Sequence, residues 1–136
     1  MMASVPNLFL LWLVILLTGC SGSGNAPERP PALPGSIPPG WTQQSVTDTP
    51  PPVGLPATAT APRCWLATYQ GPGTGEARVC WYRAEAPAFD ALQRFPSAAN
   101  TVKFQQKQWF VLVQWSGASQ TDATALVRGI QRALAQ

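Results

Sequence analysis

Cys64-Trp65-Leu66-Ala67-Thr68-Tyr69, then Gly71-Pro72-Gly73-Thr74-Gly75, then Ala77-Arg78-Val79-Cys80-Trp81-Tyr82: this stretch decides the fold. Its outer runs are rich in strand formers, and a Gly/Pro turn parts them, which is the pattern of a β-hairpin. A glycine-rich loop that cradles phosphate needs a helix directly after it, with Lys and Ser/Thr in place. Here a strand-like run follows, so the turn reading prevails. An odd-length loop centred on Pro72 sets Cys64 opposite Cys80, and a slip of two residues keeps both on the same face.

Downstream the pattern repeats in kind. Pro87 suits the first turn of a helix because its missing donor would be unpaired there. The expected helix runs from Ala88 to Phe95, with Phe89 and Leu92 inward and Pro96 closing it. Thr101 to Phe104 reads as a third strand, Lys107-Gln108 as a turn, and Trp109 to Trp115 as a fourth strand, apolar on both faces through Leu112-Val113. Such a strand is usually central and covered on both sides. Thr121 is a good N-cap for a last helix, with Asp122 favourable in its first turn. Ala123, Leu126, Val127, Ile130 and Leu134 form one apolar stripe. Gly129 lowers the stability of that helix by about 1 kcal/mol against alanine. The expectation is an α+β domain over residues 63–136: a small, mostly antiparallel four-stranded sheet with two helices on one face, in the order ββαββα.

Upstream, eleven prolines lie between Pro27 and Pro62. Each fixes φ and removes a backbone donor. Residues 20–62 therefore read as a tether, flexible at Ser21–Asn25 and then extended at about 3.1 Å per residue. Arg29-Pro30-Pro31-Ala32-Leu33-Pro34 has the spacing of a proline-motif ligand, but proline density alone accounts for it. Trp41 stands apart, and a lone tryptophan in a tether implies an arm, residues 36–46, docked back onto the domain.

Residues 8–17, LFLLWLVILL, are ten apolar residues without a break. A membrane-spanning helix needs about 20, whereas ten is the length of a signal-peptide core. The run leads into Leu17-Thr18-Gly19-Cys20, which resembles the lipobox of bacterial lipoproteins. That resemblance implies a signal peptide over residues 1–19, cleavage before Cys20, a thioether lipid on its sulfur and a fatty acyl group such as palmitate on the new amino terminus. Ser21 after the cysteine implies sorting to the outer membrane, facing the periplasm. The segment MMASVPN departs from the pattern by carrying no Lys or Arg. The domain also resembles the carboxy-terminal domain of uncharacterised bacterial envelope proteins. The resemblance rests on Tyr69, Val79 to Tyr82, Ala88-Phe89, Gln93, Val102 to Phe104, Phe110-Val111 and Ala125 to Val127. It carries over no catalytic residue.

In an exported chain, one cysteine on each of two paired strands invites a disulfide, so Cys64 and Cys80 are expected to be joined. The loop spans sixteen residues, and closing it contributes about 3 kcal/mol in the chain-entropy model. The alternative, a thiol-redox protein or small enzyme using Cys64 and Cys80, lacks a Cys-x-x-Cys motif at a helix start. With no histidine in the chain, the commonest metal ligand and general base are missing. Glu76, Glu85 and Asp90 read as solubility and helix-end charges. No catalytic residue, metal site or cofactor is expected, and the chain reads as a non-enzyme. Residues 63–136 carry eight Lys/Arg against four acids, scattered singly. A nucleic-acid reader would cluster them, so the expected partners are the membrane, through the N-terminal lipid, and an envelope protein or cell-wall polymer. Trp65, Trp81, Trp109 and Trp115 are the candidate binding surface, since two helices on one face would leave the other face of the sheet open.

Overall fold

The computed structural model describes residues 26–136. The apolar run, the lipobox-like tetrapeptide and Cys20 lie outside the described residues. Two helices and six strands form an α+β fold: β1 (Ser36–Ile37), β2 (Trp41–Thr49), β3 (Arg63–Gln70), β4 (Thr74–Trp81), α1 (Glu85–Arg94), β5 (Thr101–Gln106), β6 (Trp109–Ser116) and α2 (Gln120–Leu134). The sheet is antiparallel throughout, in the order β1-β2-β3-β4-β6-β5.

Six strands replace the expected four because the proline-rich segment supplies two. Prolines stop strands where they stand, but residues 40–49 contain none. That window pairs along β3, from Thr42 opposite Gln70 to Thr49 opposite Cys64, with an irregularity between Gln43 and Ser45. The tether reading is corrected for residues 36–49, which are strand, while the expected docking of residues 36–46 through Trp41 is found, as β1 and the start of β2. Trp41 is fully buried, yet it arrives as the first residue of a strand. Residues ahead of β1 are also held. Arg63 donates to the carbonyls of Pro27 and Glu28, and the Tyr69 hydroxyl donates to the Pro34 carbonyl at 2.9 Å. Leu33 packs on the core between those ties.

The helices lie on opposite faces, not on one. Side chains alternate along a strand, and neighbours separate cleanly. Val79 and Val111 pack with Leu126, Val127 and Ile130 of α2, while Cys80, Phe110 and Leu112 pack with Ala88 and Ala91 of α1. The sheet curls round α2, which touches both β1 and β5 at its two edges. Gly129 of α2 and Gly75 of β4 permit that approach. A Cβ on Gly129 would lie 2.8 Å from two carbons of Ile37, and one on Gly75 would lie 2.6 Å from Leu126 Cδ2. Gly129 is thus a packing residue, where the local pattern showed only a helix weakness.

Both helices start earlier than expected. In α1, Ala84 is the N-cap and makes no side-chain cap bond, so Pro87 falls in the first turn. Ala88 and Ala91 point inward, while Phe89 is 53% exposed. Small residues let α1 sit close over the disulfide, which leaves no room for the phenyl ring. In α2 the N-cap is Ser119, whose Oγ accepts from the Asp122 N–H at 3.1 Å and donates to its carboxylate at 3.0 Å. Among the described residues no helix is long and apolar enough to cross a membrane.

Candidate functional site

The cysteine pair is joined. Cys64 faces Cys80 across β3 and β4 with Cα atoms 4.1 Å apart, in the register that a turn centred on Pro72 requires. Both residues are buried, beneath α1 and beside Phe110 and Leu112, with Leu55 and Phe95 at the margin. A thiolate attacking this disulfide would first have to displace that cover.

The four tryptophans do not make one platform. Trp65 is 1% and Trp81 8% exposed, so both belong to the core. Trp109 and Trp115 are half-buried at opposite ends of β6. All four share the face that α2 covers. The reason is the period of two: Trp65 and Trp81 fall in step with Val79 and Val111, on the inward side of the curl. Trp65 is capped further by Arg63, whose guanidinium carbon stands 4.9 Å from the ring centroid, and Trp109 packs on it at 5.9 Å between centroids.

A concavity lies at the end of the sheet where β3 begins and β4 ends. It holds about 400 Å³ between the Thr58–Ala61 segment and the first turn of α1. Trp81, Tyr82, Ala84 and Pro87 give it mostly apolar walls, Arg63 and Arg83 stand at its rim, and Ala26 lines it too. The Arg63 guanidinium is spoken for, by the carbonyls of Pro27 and Glu28 in the strap of residues 26–35 ahead of β1, and by Asp48 at 3.4 Å. The Arg83 side chain makes no hydrogen bond or ion pair among the described residues, although its carbonyl accepts from Gln108 Nε2 at 2.7 Å. The Tyr82 hydroxyl is buried without a partner. Burial pushes its pKa above the usual 10, and the Asp90 carboxylate adds to the effect.

Nothing in the local sequence marked this cavity. Thr58 to Ala61 has no hydrophobic period, and only the long-range return of the chain beside β4 brings it to Tyr82. The three acids weighed earlier do not converge: Glu76 pairs with Arg78 at 3.5 Å and Asp90 with Arg94 at 2.9 Å. Glu85 opens α1. No three His, Cys, Asp or Glu side chains are grouped as a metal requires among the described residues. The chain matches no protein-family model, no curated protein and no solved structure.

Proposed function

We propose that this protein is a lipid-anchored domain of the bacterial cell envelope that works by binding or scaffolding rather than by catalysis, at the outer membrane facing the periplasm. One observation carries the reading: ten apolar residues leading directly into Leu17-Thr18-Gly19-Cys20. A buried disulfide suits an oxidising compartment. The partner classes this reading favours are the membrane itself and an envelope protein or cell-wall polymer.

Mass spectrometry of the protein purified from membranes tests the anchor. The expected species starts at Cys20 and carries a diacylglyceryl thioether, and Cys20→Ser should accumulate as uncleaved precursor in the same host. Cleavage and membrane retention unchanged in Cys20→Ser would sink the reading. The second reading, a thiol-redox protein, predicts mixed-disulfide adducts with envelope proteins when Cys64 or Cys80 alone is changed to serine. The cover over the sulfur atoms favours no such adducts.

A further inference from the structure

We infer that the end of the sheet carrying Ala26, Arg83 and the β5–β6 turn is a bilayer-facing surface, seated on anionic phospholipid. This rests on the proposed lipid at Cys20. Five residues lie between Cys20 and Ala26, six steps of chain, and a chain spans at most about 3.3–3.6 Å per residue. The fold therefore begins within about 20 Å of an anchored sulfur, whatever path the chain takes. A forty-residue tether would leave the domain free to present any side. The strap removes that freedom, because Arg63 holds the carbonyls of Pro27 and Glu28 at this same end.

The same end displays unpaired cations. Arg29, Arg83 and Lys107 are exposed there, and none makes a side-chain ion pair among the described residues. Lys107 is placed by the β5–β6 turn, where the Gln108 carbonyl accepts from the Tyr82 N–H at 2.9 Å. Glu28 and Glu85 are the opposing exposed charges, and Asp48 is taken up by Arg63. Between the cations lie the mostly apolar cavity and half-buried Trp109. Basic side chains around a tryptophan and apolar surface match the chemistry of a headgroup layer. The opposite end has a different character. Gln70, Thr74, Ser116, Gln120 and Thr121 are exposed there beside Glu76, and the exposed cations Arg128 and Arg132 lie further along α2, in a groove with Gln120 and Thr121 that no tryptophan lines.

The test is amide hydrogen exchange on the intact lipoprotein, reconstituted into vesicles rich in phosphatidylglycerol and, separately, into phosphatidylcholine vesicles. Segments 58–61, 83–87 and 106–109 should exchange several-fold more slowly in the anionic vesicles, with 71–76 and 116–121 unchanged. Arg83→Glu with Lys107→Glu should abolish the difference at an unaltered melting temperature. Lipidated protein with equal exchange at both ends, or with protection confined to 71–76 and 116–121, overturns the inference and leaves the anchor standing. Protection at 83–87 that appears equally in lipid-free detergent and grows with protein concentration points to a second copy and overturns it too. Purified protein without lipid on Cys20 overturns both readings.

Discussion

The two faces of the sheet are built from the same strands by opposite means. On the α2 face, Trp41, Trp65, Tyr69, Val79, Val111 and Val113 form one continuous core with Leu126 and Ile130. The sheet curls round the helix, and the strap closes what the helix leaves open. On the α1 face the buried cluster is small, centred on Cys64, Cys80, Phe110 and Leu112. Beyond it the same face turns polar: Ser45 bonds Thr68 at 2.7 Å, and Arg78 reaches Gln114 at 3.0 Å and Glu76 at 3.5 Å. One face is held by large apolar side chains, and the other by a covalent staple. A domain this size has little core to spare, so concentrating the aromatics on one side leaves the second side to chemistry that does not depend on area.

The largest test of that contrast is Trp41→Ala. The indole is fully buried and donates from Nε1 to the Asp122 carbonyl at 2.9 Å, tying β2 to α2. Denaturant unfolding should show a loss of about 3–5 kcal/mol, the range for truncating a buried large aromatic. A loss under 1 kcal/mol would mean that β2 is an appendage and the α2 core is complete without it.

The staple should come next. Cys64→Ala with Cys80→Ala should lower stability by about 3 kcal/mol, measured against the oxidised wild type. An equal loss from reduction alone would assign the effect to the cross-link, and a much smaller one would mean that α1 packing by itself holds its face.

Gly129→Ala sharpens the comparison further. Helix propensity favours alanine by about 1 kcal/mol. Against it stands Ile37, buried and approached through three of its carbons at 2.8 to 3.0 Å, so overpacking of about 1–3 kcal/mol should prevail. A melting temperature that rises instead would show that β1 yields easily and that the curl is soft at this edge.

The smallest expected effect comes from the two tyrosines. Tyr69→Phe loses the bond to Pro34 and should cost about 1 kcal/mol, whereas Tyr82→Phe removes a hydroxyl with no partner and should be neutral or stabilising. Burial pushes both phenols above the usual 10, with Gln43 pulling Tyr69 back and Asp90 pushing Tyr82 further. Above pH 10 the unfolded chain sheds these protons while the folded chain keeps them. Stability should therefore be full below pH 10 and fall as pH rises through the window up to the raised folded values. Tyr82→Phe should make that alkaline loss shallower, and an unchanged profile would place its cause elsewhere.

Local chemistry determined the β3–β4 hairpin, its register and its disulfide, because a Gly/Pro turn and a period of two act within a score of residues. It also determined the apolar stripe of α2 and the interior place of β6, whose run from Phe110 to Val113 is apolar on both sides. The N-cap of α2 lies two residues before the expected Thr121 because Ser119 offers the same hydroxyl, and only backbone geometry chooses between them. Tertiary structure alone decided the rest. Strand β2, TQQSVTDT after Trp41, has no hydrophobic alternation of its own and becomes a strand because the edge of β3 offers it a ladder. The face that α1 takes was not legible either, since Ala88, Ala91 and Phe89 present no dominant stripe. Its seat follows from the space over two small cysteines. The cavity near Ala26 joins segments some twenty to sixty residues apart, a distance over which a sequence pattern carries no geometry and only the closed chain does.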